Sequence, residues 1–361
     1  MMYPTSVLPD EMITILGNHS LQAEEHGRLT TEQLELIYRE KWFQLFVPKE
    51  YGGLALSLPE AVRLEESIAY ADGSVGWVVT LCAGAAMFIG YFSEDLANEV
   101  FSTPNVCLAG SGQATGTAKI MGNGYEITGS WPYASGAPDA THFTANCIIE
   151  PGGEIQSFIF KKEEVTLQPN WKYIGLNATA GYSFSVNNLS IPANRTFIID
   201  PAHATLPHPV YRYPFLQLAE TTIAANISGM CLSFFDLARQ LIVEKEPANA
   251  RAEGVKSKGL QLINSGIAEI ELLRQAFYAA LDASWSSHLA NKEITLPELN
   301  AVSESSLHLA QQARNLVNGL YPYCGLYAAR TDTMINQVWR NINTASQHTL
   351  LVDTDRDNSF A

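Results

Sequence analysis

The sequence predicts a multidomain protein, helical at both ends with an antiparallel β domain between, and three patterns predict it. The first 105 residues carry apolar positions at helical spacing behind legible caps. From about 106 to 212 the pattern becomes period-two alternation broken by Gly and Pro turns. From 213 to 361 it returns to four long helical stretches, whose lengths suit an antiparallel four-helix bundle.

In the first domain, Thr30-Thr31-Glu32-Gln33 offers a capping box ahead of Leu34, Ile37 and Tyr38. Ser57-Leu58-Pro59-Glu60 offers another ahead of Ala61, Leu64 and Ile68, and Asp72-Gly73 stops that helix. Between them Val47-Pro48-Lys49-Glu50-Tyr51-Gly52-Gly53-Leu54 reads as a loop whose paired glycines permit a tight reversal. Val75 to Phe92 is apolar for long enough to raise the question of a membrane. Acidic flanks at Asp72, Glu94 and Asp95, and glycines within it, point instead to a helix buried inside the protein.

The β domain centres on 108–136, LAGSGQATGTAKIMGNGYEITGSWPYASG. Gly122-Asn123-Gly124 supplies a hairpin turn, and Tyr125, Ile127 and Gly129 alternate with Glu126, Thr128 and Ser130. Pro132 cannot donate to a ladder, so the strand must end or bulge there, which is expected to free the amides of residues 133–136 for a ligand. Further strands are expected at 144–149, 155–160 and 182–189, with a turn at Pro151-Gly152-Gly153. A Pro- and His-rich connector, 201–214, leads to helices expected at 215–244, 254–290, 297–320 and 329–352, the third capped by Thr295-Leu296-Pro297-Glu298. His203 and His208 have no ligand partner at metal-site spacing, so no metal is assigned.

Composition narrows the partners. A net charge of −15 and a pI near 4.9 repel nucleic acid and anionic membranes on average, which leaves small molecules. The five cysteines show no CxxC spacing and an odd count, which fits reduced thiols in a cytoplasm. MMYPTSVLPDEM lacks the basic start and apolar core of a secretory signal, so a cytoplasmic location is expected. Gly110-x-Gly112-x-x-x-Gly116 is one residue too long for a dinucleotide fingerprint and precedes a strand, and no Walker, nucleophile-elbow or HExxH motif is present.

Taken together, the VPKEYGGL stretch, Asp72-Gly73-Ser74-Val75-Gly76-Trp77 and Trp131-Pro132-Tyr133-Ala134-Ser135-Gly136 resemble the acyl-CoA dehydrogenase-like flavoproteins. The G-S-x-G-W and W-x-x-x-S-G forms are similar to the branch of two-component flavin monooxygenases. The resemblance implies a β-barrel-like middle domain and a flavin ring lined by Tyr133, Ala134 and Ser135. It also implies Ser111, Gly112 and, from Gly175 to Gly181, Thr179 as cofactor contacts. With no nicotinamide site of its own, the chain would take electrons from its substrate or, in the branch, from a separate flavin reductase.

The family's dehydrogenases need a carboxylate base, and this sequence places Thr349 at one family position for it and Ala219, beside Glu220, at the other. Trp339-Arg340-Asn341 stands where those enzymes have M-R-D. The monooxygenase branch implies His348 as the group that orients or deprotonates a small organic substrate, and Ser135 as a hydrogen bond near the reactive ring nitrogen. The adenine-anchoring R-x-x-F-G segment is absent from Glu244–Asn249, which suits FMN, or FAD held transiently in reduced form. Two alternatives stay open: an FAD-bound acyl-CoA dehydrogenase with Glu220 as base, and a non-catalytic scaffold that keeps the fold. The family's subunit pairing through the bundle implies a homodimer or homotetramer.

Overall fold

The structure is a computed structural model that describes residues 6–290 and 292–352. Its element order is helical, then β, then helical. The first part contains α1 (Asp10–His26), α2 (Thr31–Arg39), α3 (Leu58–Ala71), α4 (Gly73–Ala86) and α5 (Glu94–Phe101). Thr30 with Gln33 and Ser57 with Glu60 form the two capping boxes read from the sequence. Asp72 ends α3 and starts α4: its Oδ1 accepts from the amides of Ser74 at 2.8 Å and Val75 at 2.9 Å, while Gln33 donates to Oδ2.

Among the described residues two stretches are long and apolar enough to cross a membrane, Gly73–Tyr91 and Phe215–Glu244, and 83% and 89% of their apolar 18-residue windows are buried inside the protein. Burial against protein already satisfies their apolar surface, so both read as core helices.

The middle part is a sheet of seven strands: β1 (Leu108–Met121), β2 (Gly124–Ala134), β3 (His142–Glu150), β4 (Ile155–Lys161), β5 (Thr166–Gln168), β6 (Tyr182–Pro192) and β7 (Thr196–Phe197). Their order is β5-β6-β2-β1-β3-β4-β7. Met121 faces Gly124 across the expected two-residue turn. The expectation of a wholly antiparallel domain is corrected at one place, because β1 and β3 run parallel, Leu108 beside His142. β2 ends near the start of β1, and the loop 135–141 passes under β1, where Thr141 N–H donates to the Cys107 carbonyl, before launching β3 in β1's direction. Trp131 stacks on Phe184 at 5.2 Å in the β core, and its indole N–H donates to the Asn146 carbonyl.

The last part contains α6 (Phe215–Glu244), α7 (Ala250–Leu289), α8 (Leu296–Cys324) and α9 (Met334–Ala345). α7 starts earlier than the spacing suggested because Asn249 accepts from the Ala252 amide and caps it. α8 runs past Leu320 through Pro322 to Cys324; Pro322 gives up one i→i−4 bond in the last turn, and the helix ends two residues later. The fourth bundle helix is shorter than expected. Gly325 and a 3₁₀ turn over Leu326–Ala329 separate α9 from α8, and the chain leaves the helix at Ser346. A buried ion pair, Glu66 with Arg274, ties α3 to α7, with Tyr278 and Ser228 donating to the same carboxylate.

Candidate functional site

Pro132 disrupts the ladder as expected: the pairing of β2 with β6 shifts register between Trp131 and Ala134. The bulge puts Tyr133 at φ +67 and turns its ring outward, 47% exposed. A bulky residue in the left-handed region is strained, and strain of this kind concentrates where a chain must present a side chain. Two of these amides, those of Ser135 and Gly136, are already paired within the fold, which corrects the expectation for them. Ser135 N–H donates to the Tyr133 carbonyl at 3.0 Å, and Gly136 N–H donates to the Thr179 carbonyl at 2.8 Å. What the loop offers is therefore side chains.

Ser135 is buried, and its hydroxyl makes no hydrogen bond among the described residues. Its carbonyl accepts from the Cys82 thiol of α4 at 3.6 Å, and Gly136 packs on Val78 and Cys82. Ala134 is buried beside Tyr182 and adds only a small apolar surface. Tyr133 meets Trp171 at 6.4 Å and Tyr173 at 6.2 Å, and the two tyrosine hydroxyls are 3.3 Å apart. Together they make an aromatic wall at the edge of the loop.

Thr179 is fully buried at the end of a 3₁₀ turn, and its hydroxyl donates to the Leu176 carbonyl at 2.7 Å. Its proton is committed to the fold, so Thr179 can offer a ligand only a lone pair. Ser111 is half-buried and Gly112 exposed, at the point where β1 leaves register with β3; the Gly112 carbonyl accepts from Asn146.

His348 lies beyond the last bundle helix rather than on it. It caps a 3₁₀ turn over Thr349–Leu351, with Nδ1 accepting from the Leu350 amide at 3.3 Å. That bond places the neutral ring's proton on Nε2, and burial holds the imidazole pKa below its ordinary value. The ring meets Trp77 of α4 edge-on at 6.0 Å. Trp77 and Val78 are successive residues, so one turn of α4 touches both His348 and the Ser135 loop. The sequence carries Trp77 within G-S-x-G-W, the one signal for this surface, and marks nothing at Cys82.

The two dehydrogenase base positions are not armed. Thr349 is exposed on its turn. Glu220 is buried between α6 and α8, where the Ser303 hydroxyl donates to its carboxylate and Gln217 donates to Ser303. Among the described residues no group of metal-ligand side chains occurs. At the segment 244–249, Lys256 of α7 donates to the carbonyls of Val243 and Lys245 and ties the end of α6 to α7.

Family profiles described as acyl-CoA dehydrogenase N-terminal domain and acyl-CoA dehydrogenase C-terminal domain match residues 15–100 and 221–353. The chain belongs to the acyl-CoA dehydrogenase-like superfamily. A pigment production hydroxylase from a Rhodococcus species is 28% identical, over 95% of this chain and 92% of the relative. The flavin-dependent monooxygenase oxygenase subunit HsaA of Rhodococcus jostii is 23% identical, over 94% of this chain and 92% of its own. Among solved structures, XiaF from Streptomyces in complex with FADH2 and glycerol superposes with a TM-score of 0.86 at 19% identity, covering 94% of this chain and 89% of XiaF. Within the superfamily, the similarity runs to hydroxylases along nearly the whole chain.

Proposed function

We propose that this chain is the oxygenase component of a two-component flavin-dependent monooxygenase, acting with reduced flavin and O₂ on a small organic substrate. The observation that carries the reading is the arrangement about α4: the Ser135 loop, held through its carbonyl by Cys82, on one contact and a His348 ring on the next, with Glu220 tied up elsewhere. A bound reduced flavin would supply the electrons that activate O₂. Tyr133 and Trp171 would flank the ring, and Ser135 would give its buried edge a hydrogen bond. Val78 and Cys82, buried apolar neighbours of the Ser135 loop, and Trp77, buried beside His348, would keep water from the ring. His348 would orient the substrate by donating from Nε2, since its Nδ1 is engaged by the backbone.

Electrons come from a separate flavin reductase in this reading, and the site takes FMN or FAD without a tight grip on the adenine. Five buried free thiols accord with a cytoplasmic location. The bundle exposes Leu272, Leu289 and Leu296, apolar surface that a homodimer or homotetramer would cover; light scattering above 39.6 kDa registers it. The deciding experiment mixes the protein, loaded with oxidised FMN or FAD, with butyryl- or octanoyl-CoA under anaerobic conditions. The flavin stays oxidised, because a missing base costs on the order of 10² to 10⁴ in rate. Rapid bleaching would reinstate an acyl-CoA dehydrogenase, and failure to bind flavin in either redox state would favour a scaffold.

A further inference from the structure

The loop that carries Tyr173 and Thr179 is bent in a way its own sequence does not favour. Leu176 sits at φ +55 and Ala180 at φ +44, so two residues with side chains bracket the 3₁₀ turn in the left-handed region. Such strain persists only where the surroundings over-determine it. Here the surroundings are α9. Asn341 Oδ1 accepts from the Leu176 amide at 2.6 Å, and Arg340 Nη1 donates to the Ile174 carbonyl at 2.9 Å. Between these bonds Gly175 lies flat against α9, where an added Cβ would come within 2.3 Å of the Arg340 carbonyl oxygen.

The Arg340 guanidinium has all of its donors in use. Nε donates to Asn336 at 2.7 Å, Nη2 donates to Glu24 at 2.8 Å and to the Thr331 carbonyl at 3.3 Å, and Nη1 serves both Glu24 and Ile174. Glu24 belongs to α1, and its carboxylate also accepts from Asn177 at 3.2 Å, within the same strained turn. A hydrogen-bonded path thus runs from α1 through Arg340 into residues 174–179, and on from the Thr179 carbonyl to Gly136 beside Ser135.

We propose that Arg340 and Asn341 are positioning residues of the site: through Glu24 and the 174–180 turn they set where Tyr173 and Thr179 stand against the Ser135 loop. With no donor left over, Arg340 touches no substrate. It acts by holding a bent segment, and a lysine, with three donors at one point, cannot hold Glu24, Asn336 and Ile174 together. The part of this that concerns flavin rests on the reading above; the part that concerns the turn does not.

The test compares wild type, Arg340→Ala, Arg340→Lys and Asn341→Ala as full-length proteins. Amide hydrogen exchange is read across 174–180, and dissociation constants for reduced FMN and FAD are measured anaerobically. The expected result is exchange at least about ten-fold faster in that turn, with α7 and α8 unchanged, and reduced-flavin affinity about ten-fold weaker in both alanine variants. Arg340→Lys should restore only part of either. If Arg340→Ala fails to fold, Asn341→Ala carries the same reading. Unchanged exchange in the turn overturns the clamp whatever flavin does. Faster exchange with unchanged flavin affinity overturns its role in positioning, while wild type that binds no flavin overturns the oxygenase reading and leaves exchange alone to decide the clamp.

Discussion

Glu65 of α3 is fully buried, and neither of its carboxylate oxygens has a partner among the described residues. Close by in the same helical core, Asn226 Nδ2 donates to Thr80 Oγ1 at 2.6 Å, and the Asn226 Oδ1 is itself unsatisfied. Burial pushes the Glu65 pKa from 4.5 up to about 8. The folded protein therefore keeps a proton that the unfolded chain releases above about 4.5, and the sign follows. Stability from this group is fully present below about pH 4.5 and is lost as pH rises to about 8. Glu65→Gln should flatten that slope and raise stability at pH 8 by a few kcal/mol, on a scale of about 1.4 kcal/mol per pKa unit. Urea melts of both proteins between pH 5 and 8 check it; parallel slopes would show that Glu65 is ionised in the fold. Nothing in the sequence marks Glu65 as different from its neighbour Glu66, which finds Arg274 far along the chain.

Among the elements, what was legible in the sequence was what is decided locally. Capping boxes depend on residues three apart, so Thr30, Ser57 and Thr295 start their helices as read. The single cap at Asn249 has no box to announce it, and α7 was placed too late. Pro132 announced its bulge, but not where the freed amides would go, because Gly136 finds the carbonyl of Thr179 only in the folded sheet. The parallel pairing of β1 with β3 was hidden for the same reason. Ser135 and His348 were readable through family motifs; the α4 surface that faces both was not, since only packing brings Trp77 to one and Cys82 to the other. The bulge itself supports a prediction. Tyr133→Gly should leave stability equal or higher by up to about 1 kcal/mol, because left-handed strain is relieved, and should weaken reduced-flavin binding about ten-fold as a ring is lost. A variant that is less stable yet binds flavin normally would make Tyr133 a packing residue.

At the scale of the whole molecule, the three parts meet where the site is. α1 supplies Glu24, α4 supplies Trp77 and Cys82, the sheet supplies the Ser135 loop and the 174–180 turn, and the C-terminal part supplies Arg340 and His348. In the proposed function, residues distant in sequence would serve one reaction at different steps. Ser135 should govern how long activated oxygen stays coupled to the proposed flavin site, because its substitution by Ala removes a hydroxyl donor there. His348 should govern use on substrate, with activity falling as pH drops through a pKa held below the ordinary histidine value. The most direct test is stopped-flow mixing of O₂ with anaerobic protein and reduced flavin, with and without a panel of small phenolic and heteroaromatic compounds, following flavin reoxidation and hydrogen peroxide. Ser135→Ala should reoxidise flavin roughly ten-fold faster and release peroxide even with substrate present. His348→Ala should match wild type without substrate and lose product formation with it. Reoxidation and product yields identical to wild type in both variants would contradict the shared site and, with it, the oxygenase assignment of these two residues.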